Sequence, residues 1–200
     1  QTPVMAATFG GHGPDLLGAA EAEQLSRTTV YEYDAAGNLT AVTDPLGRIT
    51  RYEYDPLDRL VRVVDPAGNP TAFTYDALGN LLTMVDALGR TTGYDYDALS
   101  HLVQITDPIG GAWTYGYDEE GNLVRRTDAN GHTTAFAYDD RNRLVAWTDA
   151  EGGVTAYAYD EAGRVTALSD ALGQTALYAY DEAGRLLSRT DALGGTASWT

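Results

Sequence analysis

The chain has 200 residues, 44% of them hydrophobic, no cysteine, and a formal net charge of −16 from 29 acidic and 13 basic residues. Its apolar content is too high for a disordered chain, the lack of cysteine excludes disulfides and thiolate metal sites, and no run approaches the roughly 18 apolar residues of a membrane-spanning helix. The basic residues are scattered and make no patch of the kind that binds nucleic acid.

Residues 1–22 read as a non-repeat N-terminal segment. The glycine-rich stretch from Phe9 to Pro14 reads as loop, and Leu16 to Leu25 has the Ala, Glu, Gln and Leu content of a short helix. Gln1 opens the chain without the charged and apolar regions of a secretory signal, so the chain reads as a processed or excised piece.

From Glu23 to Thr200 the chain is a repeat array, starting and ending in mid-repeat. The stretch Tyr31-Glu32-Tyr33-Asp34-Ala35-Ala36-Gly37-Asn38-Leu39 recurs every 21 residues. Its Tyr-Asp pairs are Tyr33 and Asp34, Tyr54 and Asp55, Tyr75 and Asp76, Tyr96 and Asp97, Tyr117 and Asp118, Tyr138 and Asp139, Tyr159 and Asp160, and Tyr180 and Asp181. A second mark keeps the same period. Asp44 precedes Gly47 by three residues, and so in turn do Asp65 and Gly68, Asp86 and Gly89, Asp107 and Gly110, Asp128 and Gly131, Asp149 and Gly152, Asp170 and Gly173, and Asp191 and Gly194. A fixed period of this kind means one supersecondary unit stacked on its copies.

Within a unit the pattern is extended. Thr29, Tyr31 and Tyr33 alternate with Thr28, Val30 and Glu32, a period of two in β-branched and aromatic residues. Asp34 then opens a turn, because its carboxylate can accept from backbone N–H groups two residues on. Gly37 supplies the positive φ that ends a three-residue hairpin loop. The second strand spans Asn38 to Thr43, with Thr40 and Val42 on one face and Leu39, Ala41 and Thr43 on the other. Asp44-Pro45-Leu46-Gly47 closes the unit with another turn. The expected fold class is therefore all-β: antiparallel β-hairpin repeats of 21 residues forming a curved or spiral sheet, since a twisted meander of that many strands cannot stay flat. The 16 aspartates of the two marks explain most of the negative charge as turn chemistry.

These residues resemble the Rhs/YD-repeat family, whose motif runs roughly Gly-x3-Arg-Tyr-x-Tyr-Asp-x2-Gly-Arg-Leu. Gly47 to Asp55 matches the first half, and Tyr159 to Val165 and Tyr180 to Leu186 match the second. Asp58, Ser100 and Asn142 replace the first glycine, which predicts strained or differently shaped turns there. The resemblance implies a strip of hairpins that winds into a hollow shell, as in bacterial polymorphic toxins, insecticidal toxin complexes and teneurins. It implies a secreted or cell-surface location. It also implies as partners the neighbouring repeats of a longer chain or other copies, and an enclosed cargo or toxin polypeptide. No catalytic residue carries over.

The alternatives are weaker. Calcium needs six to eight converging oxygens, and the two aspartates of a unit sit at opposite ends of a strand. The tyrosine rows could hold glycans, but tyrosine more simply packs one face and gives its hydroxyl to a partner. His12, His101 and His132 lack metal-ligand spacing, and His101 and His132 read as solvated turn residues. The expectation is a non-catalytic structural segment without cofactor. The alternative is an adhesion module or a filament-forming subunit using open sheet edges.

Overall fold

The computed structural model describes residues 4–7 and 28–199. The helix expected over Leu16 to Leu25 lies outside the described residues. The N-terminal segment read as loop contributes strand β1 (Val4–Ala7), which pairs antiparallel with β2 (Thr29–Tyr33) in the register Val4↔Glu32 to Ala7↔Thr29. The chain divides into two compact units, Gln1–Tyr94 and Asp95–Thr200.

The first unit continues through β3 (Leu39–Thr43), β4 (Ile49–Tyr54), β5 (Leu60–Val64), β6 (Pro70–Tyr75) and β7 (Leu81–Val85), and into β8 (Thr91–Tyr96), where the division falls. The second holds β9 (Leu102–Thr106), β10 (Ala112–Tyr117), β11 (Leu123–Thr127), β12 (Thr133–Tyr138), β13 (Leu144–Thr148), β14 (Val154–Tyr159), β15 (Val165–Ser169), β16 (Thr175–Tyr180), β17 (Leu186–Thr190) and β18 (Thr196–Ser198). Within each unit consecutive strands pair antiparallel, as the period-two pattern requires, and the described residues contain no helix.

Two hairpin types alternate. In the hairpin that follows Tyr-Asp, Tyr31 opposes Val42 and Glu32 opposes Ala41, but Tyr33 opposes Leu39. Thr40 is thus an extra residue in a β-bulge, and its hydroxyl donates to the Glu32 carbonyl at 3.2 Å. The same shift recurs at Glu53/Tyr54, Thr74/Tyr75 and Ala158/Tyr159. In the other hairpin the register is regular but short, as in Ala41↔Arg51, Val42↔Thr50 and Thr43↔Ile49. The straight alternation expected over Asn38 to Thr43 is therefore broken at the bulge. The strand also begins one residue later, because Asn38 closes the loop: its carbonyl accepts from Asp34 N–H at 2.9 Å.

The sheet layer has little interior. Ala41, 2% exposed, is the one buried apolar side chain among the described residues, and most strand side chains are half-buried. Pairing puts Tyr31 opposite Val42, Tyr52 opposite Val63 and Phe73 opposite Met84, so one face of the first unit carries facing aromatic and aliphatic side chains. Leu46, Leu57, Leu78 and Leu88 ride exposed on the turn tips. With so small a core, stability rests on ladders and turns.

The turn backbone supplies a direct check. Gly68 has φ +87° and nothing within 4 Å of where a Cβ would stand. Gly68→Ala is expected to cost about 1 kcal/mol through backbone strain alone, read as a lower urea midpoint with an unchanged strand spectrum.

Candidate functional site

Every Tyr-Asp tyrosine of the repeat motif ends a strand, and every motif aspartate is the next residue, opening a turn. The second row of aspartates likewise follows the last residue of the returning strand. Both turns are built alike. At Asp44 the backbone N–H donates to the Arg48 carbonyl at 3.0 Å, and Gly47 N–H donates to the Asp44 carbonyl at 2.9 Å. The carboxylate finishes the loop: Oδ1 accepts from the N–H groups of Leu46 and Arg48, both at 2.9 Å, and Oδ2 accepts from Arg48 Nε at 2.6 Å. Asp55 repeats this with Leu57 and Arg59, and Asp139 with Arg141 and Arg143. Asp58, Ser100 and Asn142 hold φ of 59°, 65° and 58°. They donate the same N–H bond that glycine donates elsewhere, so those turns keep the common shape.

Asp34, Asp44, Asp86, Asp97, Asp139 and Asp160 are held below the ordinary carboxylate range by these donors. The Arg143 guanidinium brings Asp139 down to about 2. The Arg90 side chain lowers Asp86, and the backbone N–H of the residue four positions on lowers Asp34, Asp97 and Asp160.

At the Tyr-Asp edge, consecutive hairpins are tied together. The registered ladder between β5 and β6 stops at Arg62↔Ala72. Beyond it the Tyr75 hydroxyl donates to the Leu60 carbonyl at 2.7 Å. Tyr117 does so to Leu102, Tyr138 to Leu123, Tyr159 to Leu144 and Tyr180 to Val165, at 2.8–3.1 Å. The residue four after the turn aspartate completes the tie. Arg59 Nη1 donates to the Asp76 carbonyl at 2.7 Å, and its guanidinium lies 5.0 Å from the centre of the Tyr75 ring. Arg143 lies over Tyr159 at 4.6 Å and Arg164 over Tyr180 at 5.0 Å, each with Nη1 on the next turn's aspartate carbonyl. Such a contact is worth about 0.5–1 kcal/mol at an exposed site.

His101 belongs to this set. Its ring stacks on Tyr117 with centroids 4.8 Å apart, and Nδ1 lies 3.0 Å from Asp97 Oδ2. It is half-buried in a junction, not the solvated turn residue expected, because the next hairpin brings a tyrosine against it. His132 is exposed and bonds to Asp128 at 3.1 Å. Reading the aspartates alone misses the importance of the residue four positions on. The legible signal is Asn, Arg or His there in every Tyr-Asp turn.

Surface depressions lie between successive turns at both edges. A groove of about 350 Å³ is lined by Asp139, Arg143, Tyr159, Asp160 and Glu161. Among the described residues no group of three or more acidic or histidine side chains is gathered for a metal ion, and no helix is long and apolar enough to cross a membrane.

Comparison with known proteins gives two family matches. A model described as teneurin YD-shell covers residues 83–194, and one described as RHS repeat covers residues 23–49 and 33–72. A search of curated proteins finds no match. Among solved structures, a TcdB2-TccC3-Cdc42 chain aligns at 17% identity and TM-score 0.43 over 82% of this chain and 13% of that one. TcdB2-TccC3 aligns at 18% identity and TM-score 0.38 over 88% and 14%. The Photorhabdus luminescens Tc holotoxin pore, carrying TccC3-D651A, aligns at 14% identity and TM-score 0.28 over 86% and 19%. The chain thus spans less than a fifth of the length of each.

Two outcomes follow from this geometry. Tyr159→Phe leaves the Leu144 carbonyl without its donor and is expected to cost about 1 kcal/mol, measured as local amide exchange near Tyr159. Acid titration has a definite sign: the lowered folded-state values of Asp34, Asp86, Asp97, Asp139 and Asp160 contribute stability above the ordinary aspartate value of 3.8. That contribution is lost as pH falls through the folded-state values, toward about 2 for Asp139. Strand circular dichroism should hold down to about pH 4 and fall below it.

Proposed function

The chain belongs to the teneurin YD-shell family, and on that premise we propose that it is a non-catalytic wall segment of a larger YD-repeat shell. Its work is steric: to enclose or display a polypeptide cargo while holding it away from its surroundings. The observation that carries this reading is where the polar chemistry goes. Turn carboxylates accept the N–H groups of their own loops, and tyrosine hydroxyls and guanidiniums tie one hairpin to the next. These groups are committed to making a wall. The same commitment at Tyr75, Tyr117, Tyr138, Tyr159 and Tyr180 argues against a ladder that presents those hydroxyls to glycans.

The longer chain supplies the remaining wall and the cargo, and the assembled protein acts outside the cell or at its surface. The test is limited proteolysis of the full-length protein beside a form lacking residues 23–200. The cargo segment is expected to survive in the first and to be cut in the second. Equal protection in both would remove the shell role from this segment.

A further inference from the structure

Seven residue pairs in the array lie 20 positions apart. In each, the first member follows a Tyr-Asp turn and the second occupies the left-handed position of the next Tyr-Asp turn. Asn38, Asn80 and Asn122 are matched with Asp58, Ser100 and Asn142. Arg59, His101, Arg143 and Arg164 are each matched with a glycine: Gly79, Gly121, Gly163 and Gly184. No pair crosses the two classes.

The geometry gives the reason. Asn38 Nδ2 donates to Asp58 Oδ1 at 2.7 Å, and Asn122 Nδ2 donates to Asn142 Oδ1 at 3.0 Å. Asparagine is too short to reach the next tyrosine ring; one amide N–H stays on its own turn carboxylate, Asp34 at 3.1 Å or Asp118 at 3.0 Å, and the other goes to the side chain that follows. Arginine and histidine bypass that side chain and lie on the next tyrosine. At His101, Arg143 and Arg164 they run beside the space that glycine leaves, whereas at Gly79, next to Arg59, a Cβ would meet nothing within 4 Å. A Cβ at Gly121 would stand 3.3 Å from His101 Nε2. A Cβ at Gly163 or Gly184 would stand 3.9 or 3.8 Å from Nη1 of Arg143 or Arg164. There the Cβ itself is tolerable, but a polar group beyond it, directed as in Asn142, enters the volume of the guanidinium.

The next hairpin, not the arginine's own turn, provides the burial. Arg59, Arg143 and Arg164 are 26%, 25% and 31% exposed. Arg48 and Arg90, in the other turn type, bond to their aspartates and stay 64% and 62% exposed.

We propose that these two positions form a matched junction that determines which hairpin docks on which. Asparagine accepts a neighbour with a short polar side chain at its left-handed position; a planar arginine or histidine accepts a neighbour with glycine there. In an array of near-identical hairpins this is a selectivity device, because a neighbour of the wrong class removes the acceptor of the second amide N–H or crowds the planar side chain.

The test is a pair of reciprocal double-mutant cycles in the 200-residue chain, read by amide exchange. The first combines Arg143→Asn with Gly163→Asn, followed at the Asp160 amide, which donates to the Arg164 carbonyl. Each single change is expected to lower protection by about tenfold, and the double variant, with an Asn–Asn junction, to be better protected than the product of the two single effects by more than threefold. The reverse cycle, Asn122→Arg with Asn142→Gly, is followed at the Asp139 amide. There the double variant is expected to exceed the product of the two single effects by more than threefold. The left-handed strain of Gly163→Asn occurs in both arms of its cycle and cancels. Additive effects, with the double equal to the product of the singles within threefold, overturn the proposal. If either member of the first cycle fails to fold, the reverse cycle decides alone.

Discussion

One carboxylate holds each reversal of this chain. A three-residue loop leaves backbone N–H groups pointing inward with no carbonyl in reach, and the aspartate at its start takes two of them on a single oxygen. Its other oxygen is then free to orient the side chain four residues on, as at Asp44 with Arg48 and Asp55 with Arg59. The backbone cannot make this turn repeatedly without such an acceptor, and the pattern of the whole array follows from it. The net charge of −16 is a consequence. It marks many reversals, with arginine, asparagine or histidine beside the carboxylate, and not a surface shaped for a basic partner.

The two edges of the sheet use the same turn to different ends. Where the hairpin is regular, the strands leave the loop in register and the arginine beside the aspartate extends into solvent. Where the hairpin is bulged, the extra residue turns the strand end so that the terminal tyrosine reaches back to the preceding hairpin. The ladder between hairpins has stopped there, and the tyrosine hydroxyl supplies a bond where the strands separate. The cost of the bulge, one unpaired residue per unit, is offset by a side-chain tie that a straight ladder would lack. The Tyr-Asp edge therefore carries the side-chain ties between hairpins, and the sequence difference that places them there is this tyrosine.

Most of the architecture was legible because it is local. Period two in Thr29 to Tyr33, an aspartate three residues before a glycine, and strict spacing are enough to place strands and turns without knowing what lies beside them. Three features were not. The bulge at Thr40 depends on how Tyr33 and Leu39 meet across the hairpin, and alternation in one strand carries no record of that. The strand Val4–Ala7 is formed by pairing with Thr29–Tyr33, not by any repeat signature of its own. His101 reads as a turn residue until the neighbouring hairpin places Tyr117 against its ring. The non-glycine residues Asp58, Ser100 and Asn142 look like defects one turn at a time. Asp58 and Asn142 gain a partner only from the asparagine 20 residues earlier, Asn38 and Asn122, which donate to their side chains.

A wall segment needs hairpins that stay shut and stay in order, and both demands return to the turn carboxylate, which closes its own loop and aims the side chain that reaches the next. The most direct measurement is residue-resolved amide exchange in Asp139→Ala. The account predicts that Arg141 and Arg143 lose protection together, since both donate to that carboxylate, and that the loss extends to Asp160, whose carbonyl holds the Arg143 guanidinium. Unchanged exchange at Arg141 and Arg143, or a loss that stops at residue 143, would contradict it.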